Sequence, residues 1–273
     1  MADDVTGTAK GNDRLNSRVK CRVTAAVLAF LTLGPATVLG QDSGDVADLS
    51  AKATDPTASL MSFSLYGDYT ASFHGASAGL PDDALVTAFR PVIPFTAFGQ
   101  KNILRMTVPY QVSGRGEEEL KDIALFDLAV FDRDWGRVGV GAVASFSTSD
   151  QAADEVAAGP AIGFVRPLSK GLNVGLFNQN LFAGDTAISQ LQPIIAYQLA
   201  PGWSLSAGDL QLVYDWKAGR WLSLPLGFQL GKVTKLGSQP LRWYVNPQYN
   251  FADDPGLPGW SVKLGITLLV PAP

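Results

Sequence analysis

From Ser59 to the C-terminus one pattern recurs: apolar side chains take every second position over about 10 to 14 residues, and a turn cluster follows. A period of two belongs to a strand with one apolar and one polar face. The first run shows it most clearly, with Met61, Phe63, Leu65, Gly67, Tyr69, Ala71 and Phe73 set against Ser62, Ser64, Tyr66, Asp68, Thr70 and Ser72. Trp243, Val245, Pro247, Tyr249 and Phe251 alternate likewise with Arg242, Tyr244, Asn246, Gln248 and Asn250. The final run sets Trp260, Val262, Leu264, Ile266, Leu268 and Val270 against Ser261, Lys263, Gly265 and Thr267. Nine further strands are predicted near 84–96, 101–112, 121–132, 135–147, 156–167, 171–182, 187–199, 202–216 and 220–233.

Twelve such strands predict an all-β fold, a transmembrane antiparallel up-and-down β-barrel over residues 59–273. A tilted strand needs roughly 9 to 11 residues to cross the hydrocarbon, and an even count leaves both chain ends on one side. Ten or fourteen strands stay open as alternatives. With the first connection taken as external, the outer loops are 74–83, 113–120, 148–155, 183–186, 217–219 and 252–257, and most are long and acidic. The inner turns are 97–100, 133–134, 168–170, 200–201 and 234–239. Long outside and short inside is the outer-membrane habit, which 217–219 and 234–239 break.

A soluble sandwich or a lipocalin-like barrel alternates too. Aromatic and charged residues separate the two readings. Trp135, Trp203, Trp216, Trp221, Trp243 and Trp260 all fall near predicted strand ends, where interface girdles belong. Charged residues make up 17% of the chain against 47% hydrophobic, too few for the exterior of a soluble β-protein. No stretch after residue 40 supplies the roughly 18 apolar residues of a spanning helix, so any membrane crossing is made by strands.

The N-terminus gives a destination. Arg14, Arg18, Lys20 and Arg22 precede an apolar run from Val23 to Leu33, and Gly34, Pro35 and Val38-Leu39-Gly40 lead to Gln41. That is the order of a Sec-type signal peptide over residues 1–40, cleaved between Gly40 and Gln41, with 41–58 left as a periplasmic lead-in or short helix. Cleavage would remove Cys21, the single cysteine, and carry the net charge from −4 to about −6. Such a chain has no Cys-based metal site and no basic patch for nucleic acid.

Two features disturb the strands. Pro91, Pro94, Pro109, Pro160, Pro193, Pro225 and Pro247 lie within them, and a closed sheet has no edge to absorb a missing N–H, so bulges or strand ends are expected. Near Asp209 the apolar phase changes from odd (Trp203, Leu205, Ala207) to even (Leu210, Leu212, Tyr214), which predicts another irregularity.

Ala51-Lys52 followed by Asp55-Pro56-Thr57-Ala58-Ser59-Leu60, and then Arg90-Pro91-Val92-Ile93-Pro94-Phe95, resemble a family of proteobacterial outer-membrane β-barrel proteins. That family is labelled for the MetA-pathway of phenol degradation, as transporters or, misleadingly, as neuromedin U. Phe182-Ala183-Gly184-Asp185, Leu191-Gln192-Pro193, and Arg220-Trp221 through Pro225-Leu226-Gly227 with Gly231-Lys232-Val233 match its pattern as well, so the resemblance covers roughly residues 46 to 270. Two positions depart from it: Asp55 stands where the family usually has Asn, and Leu269-Val270-Pro271 where its last strand ends in an aromatic. A terminal aromatic helps the barrel-assembly machinery recognise a strand, so that signal is weak here. The resemblance implies passage of small aromatic or hydrophobic compounds and assigns no binding residue.

Catalytic chemistry finds little support. Barrel lipases pair a serine with a histidine, and His74, the sole histidine, sits beside Gly75 in the first loop. With no cysteine and one histidine, a transition-metal site would need carboxylates throughout. Glu117-Glu118-Glu119 could bind divalent ions at the lipopolysaccharide layer, though a solvated loop is the default. Gly139 and Gly141 lie on a strand, with no helix after them to form a phosphate loop. No enzyme and no cofactor is predicted.

Alternation sends Asp68, Arg90, Arg105, Asp127, Gln192, Gln229, Arg242, Asn246, Gln248 and Lys263 into the lumen, since a charge facing lipid at mid-depth costs about 2 to 4 kcal/mol. Gly139, Gly141, Gly159, Ala161 and Gly163 would lower one wall and widen the lumen there. A symmetric first hairpin sets Asp68 opposite Arg90, near enough for a charge pair. About eight strands leave an interior full of side chains and about sixteen leave open water, so twelve predicts a narrow or gated passage. The functional expectation is a monomeric outer-membrane channel for small solutes, in contact with lipid and lipopolysaccharide. The alternative is a structural barrel with a plugged lumen.

Overall fold

The computed structural model describes residues 43–75, 79–114, 118–148 and 155–270. The expected signal peptide, Glu117 and Pro271 lie outside the described residues. Helix α1 (Ser43–Ala53) precedes β1 (Met61–Thr70), β2 (Ala84–Ala97), β3 (Gln100–Ser113), β4 (Glu119–Leu120), β5 (Ile123–Arg133) and β6 (Gly136–Phe146). Then follow β7 (Val156–Ser169), β8 (Leu172–Ala183), β9 (Thr186–Ala200), β10 (Trp203–Ser206) and β11 (Leu212–Asp215). The chain ends with β12 (Arg220–Ser223), β13 (Pro225–Gly227), β14 (Gln229–Leu236), β15 (Gln239–Asn250) and β16 (Trp260–Val270).

Every pairing is antiparallel and β1 meets β16, which closes the ring. The segment β4 is a spur on β3, β10 and β11 are halves of one wall position, and β12, β13 and β14 are pieces of the next. The result is a closed twelve-strand barrel.

The two ends differ. At the end where β1 begins and β16 stops, all five connections are two-residue turns: Phe98-Gly99, Asp134-Trp135, Lys170-Gly171, Pro201-Gly202 and Gly237-Ser238. The expected exception at 234–239 is therefore absent, because β14 and β15 run further than the sequence pattern suggested. Phe98 and Gly99 both take positive φ, 52° and 75°, the backbone of a type I′ turn matched to strand twist. The other end carries the long connections 71–83 and 251–259, alongside short ones at 184–185 and 216–219. Short turns mark the periplasmic end.

Burial alternates with the strand period. Leu65, Phe89, Val140, Ile162, Ile195 and Leu226 face out and are exposed, whereas Tyr66, Ala88, Val143, Ala161 and Ile194 face in and are buried. All six tryptophans are exposed on the outer surface. Trp135, Trp203 and Trp243 lie toward the short-turn end and Trp216, Trp221 and Trp260 toward the loops, forming two belts. An apolar outside between aromatic belts, with every wall strand hydrogen-bonded into a ring, is what hydrocarbon demands of β-structure. The chain is an outer-membrane β-barrel of the Gram-negative type.

The prolines settle in two ways. Pairing of β2 with β3 lapses at Arg90-Pro91, that of β7 with β8 lapses at Gly159-Pro160, and Pro225 opens β13. Pro94, Pro109, Pro193 and Pro247 instead sit within continuous register.

The interior has two halves. Phe126, Leu128, Val143, Ala161, Val165, Phe177, Leu181 and Ile194, from β5 to β9, form one apolar cluster. The glycines expected to widen the lumen are filled instead: a Cβ on Gly139 would lie 2.9 Å from Leu128 Cδ1, and one on Gly163 would run into the Phe177 ring. Gly139 and Gly163 thus seat large neighbours, and Gly141 and Gly159 lie against neighbouring backbone, rather than leaving space.

Candidate functional site in the barrel interior

The polar half of the interior is built by β1–β3, β14–β16 and the break between β10 and β11. At that break residues 207–211 leave the ladder and Asp209 turns inward, the irregularity foreshadowed by the phase change. Its carboxylate takes an ion pair from Arg90 Nη1. Arg90 also donates to Tyr66 Oη at 2.9 Å and to Thr107 Oγ1 at 3.1 Å, filling the gap in the β2–β3 ladder. Lys263 Nζ lies 5.0 Å from the Tyr66 ring centroid and 3.5 Å from Asp68 Oδ2. Arg90 Cζ lies 5.0 Å from that same ring, so Tyr66 is shared by two cations.

Arg242 Nη2 donates to Gln229 Oε1 at 2.6 Å, and both residues are buried. Gly231 makes room for this guanidinium: a Cβ there would lie 2.8 Å from Arg242 Nη2. Arg105 rests its guanidinium 4.6 Å from the Phe126 ring, at the border with the apolar half. Gln192 donates to Gly208 O at 3.4 Å, Asn246 to Phe228 O at 2.7 Å and Gln248 to Ser261 Oγ at 2.9 Å. The first two contacts hold the broken strands in place, and the third ties β15 to β16.

Two expectations fail. Asp68 does not face Arg90: it lies opposite Val86, and Arg90 lies opposite Ser64, a displacement of four residues. The hairpin is asymmetric because β1 leaves β2 at Thr70 but runs on beside the last loop, where Phe73 bridges Pro258 and Ala71 N donates to Trp260 O. A slip of four keeps each side chain on its face and changes only its partner.

Asp127 is the second correction. It is exposed, on the outward phase of β5 between Leu104 and Ala142, while Phe126 and Leu128 point in. Both phases of β5 are apolar in sequence, so polarity alone misassigned the face; packing of Leu128 against Gly139 decides it. A carboxylate on the lipid face is a liability, so Asp127→Leu is expected to stabilise the barrel by about 1 kcal/mol. Urea unfolding in liposomes checks this, and an unchanged or lowered midpoint would show that Asp127 sits outside the hydrocarbon.

Between the polar layer and the N-terminal segment lies a chamber of about 150 Å³, lined among others by Arg90, Arg105, Asp209, Arg242, Ile103 and Phe126. Its floor is residues 52–60. Helix α1 carries Val46, Leu49 and Ala53 at helical spacing, and this face packs with Leu60 against Val233 and Leu269 inside the short-turn end. Val46 fits against Gly202, where a Cβ would lie 2.7 Å from Val46 Cγ1. After the helix, Asp55 Oδ1 accepts from Thr57 N at 2.8 Å and Thr57 Oγ1 at 2.6 Å, while Oδ2 is ion-paired to Arg137 on β6. The helical spacing was present in the sequence; nothing there pointed to Arg137.

His74 Nε2 lies 2.8 Å from the Asn250 carbonyl oxygen, which makes that nitrogen a donor, and its ring packs edge-on to Tyr249. Among the described residues, no three His, Cys, Asp or Glu side chains converge to hold a metal ion.

No family model matches the chain, and no curated protein sequence does. Several solved structures are similar at a distance. The KdgM porin in complex with disordered oligogalacturonate has a TM-score of 0.49 at 11% identity, over 76% of this chain and 98% of that one. Outer membrane phospholipase A from Escherichia coli scores 0.45 at 11% identity, over 85% and 99%. A mutant Rh. blastica porin scores 0.33 at 9% identity, over 78% and 99%. Likeness at this level says nothing about solute or chemistry, so the chain's own geometry is what bears on function.

Proposed function

We propose that the protein is a passive channel for small solutes in the outer membrane, gated by its N-terminal segment. The chamber carries this reading: a structural wall has no need of a charged cavity in its interior. The apolar half around Phe126 and Ile194 favours a solute with an apolar body, in keeping with the hydrophobic or aromatic compounds that the family resemblance implies. On this reading residues 1–40 are a signal peptide removed after Gly40, and the barrel works as a monomer without a cofactor. Liposomes carrying the full-length protein should swell in small neutral and anionic solutes, and a deletion strain should grow poorly on aromatic carbon sources.

A second reading, a structural barrel with a plugged lumen, is favoured by the packing of α1 and of the apolar cluster across the interior. Absence of swelling both with the full-length protein and after removal of residues 43–58 would establish it in place of the channel.

A further inference from the structure

The chamber contains more positive charge than its own carboxylates neutralise. Four cations line it, Lys52, Arg90, Arg105 and Arg242, with two carboxylates, Asp55 and Asp209. Both carboxylates are taken: Asp209 by Arg90, and Asp55 by Arg137. Lys52 pairs with Asp48, 2.7 Å away on the exposed side of α1. Among the described residues, Arg105 and Arg242 make no direct ion pair and feel Asp209 only at a distance, as a charge already paired with Arg90. Arg105 lies over the Phe126 ring, 4.6 Å away, and Arg242 over the Tyr244 ring at 5.2 Å, with a neutral amide at one nitrogen and, among the described residues, no hydrogen-bond partner for its buried Nε. Guanidinium does not shed its proton, so these charges cannot be removed by titration. A cation held inside the barrel with no carboxylate in contact is costly, and a residue kept for packing would not be a cation. The fold also gives up a side chain at Gly231 to admit the Arg242 guanidinium, which commits that cation to this position.

The rest of the wall fixes the ligand's other end. Ile103, Phe126, Ile194 and Leu269 line the chamber as well. A cavity of about 150 Å³ admits a molecule of about the size of benzene. We infer that the chamber is a binding site for one small organic anion, whose carboxylate is held by Arg105 and Arg242 and whose apolar body lies against Phe126 and Ile194. The inference deepens the channel reading by naming the solute class, yet it concerns binding, which can be measured without passage.

The test uses the full-length protein in detergent micelles, with hexanoate as the anionic probe and hexan-1-ol as its neutral counterpart. Titration calorimetry is expected to show one saturable hexanoate site per barrel, with hexan-1-ol at least about tenfold weaker, as charge-assisted hydrogen bonds require. Arg105→Gln and Arg242→Gln should each weaken hexanoate by a similar factor, and Arg105→Lys should retain part of the affinity. Equal binding of the alcohol, no hexanoate binding, or full affinity in both glutamine variants overturns the inference. If a variant fails to assemble, the comparison of hexanoate with hexan-1-ol on the unaltered protein still decides. Hexanoate binding without liposome swelling would refute the channel and leave the site standing; swelling without hexanoate binding would refute the site alone.

Discussion

Arg137→Ala is expected to open the barrel. The substitution strips the partner from Asp55, a carboxylate whose side chain is only 2% exposed, at the point where the N-terminal segment is fastened to the wall. Breaking a buried pair from one side costs about 3 to 5 kcal/mol; with the Arg137 side chain 34% exposed, about 2 to 3 is the fitting estimate. That converts to a rise in the undocked population on the order of a hundredfold. In planar bilayers the variant should show longer and more frequent openings, and deletion of 43–58 should show the fully open level. Arg137→Lys should restore the closed behaviour in part, and Asp55→Asn should fall between, since the amide keeps the bonds to Thr57 and loses the charge. Unchanged current in both Arg137→Ala and the deletion would mean the segment does not gate.

The second large effect concerns Arg90 and Asp209. Asp209→Ala leaves Arg90 charged beside Tyr66 and Thr107, and Arg90→Ala leaves Asp209 with only the more distant Lys263 and Arg105; the two side chains are 18% and 27% exposed. The expected cost is about 3 kcal/mol in each, near the lower limit for a buried pair because water reaches the chamber. The double variant should recover about 2 kcal/mol of the summed loss, the signature of direct coupling. Urea unfolding followed by tryptophan fluorescence reads this, and strictly additive losses would show the two residues acting independently.

How much of this was legible depends on which physical rule had to be read. The wall was legible because a barrel between lipid and lumen enforces a period of two, and one missed residue would turn Leu65 or Phe89 into the lumen. The tryptophan belts were legible for the same reason. Partnerships were not, because alternation fixes a face and leaves the opposite residue free; Asp68 and Arg90 keep their faces under a four-residue shift. Nor can a strand apolar on both sides announce its orientation, which is how Asp127 was placed inside. The ion pair between Arg90 and Asp209 spans 119 residues, and only the phase change near Asp209 hinted that something there was unusual. The docked helix was foreseen only as a lead-in or short helix over 41–58, because the receptor for its Val46, Leu49 and Ala53 face, the inside of a barrel end, exists only once the strands have closed.

That closure has a consequence for assembly. The first strand to emerge and the last must find each other to complete the ring, and along their ten paired positions only one couple is charged, Asp68 with Lys263. Were the two edges to zip two residues out of step, Lys263 would sit opposite Tyr66 or Thr70 and Asp68 would lose its cation, while every greasy residue still faced lipid. Hydrophobic patterning cannot detect that error; the charge couple can. The seam therefore carries its own alignment mark, and exchanging the two residues, Asp68→Lys with Lys263→Asp, should assemble better than either change alone.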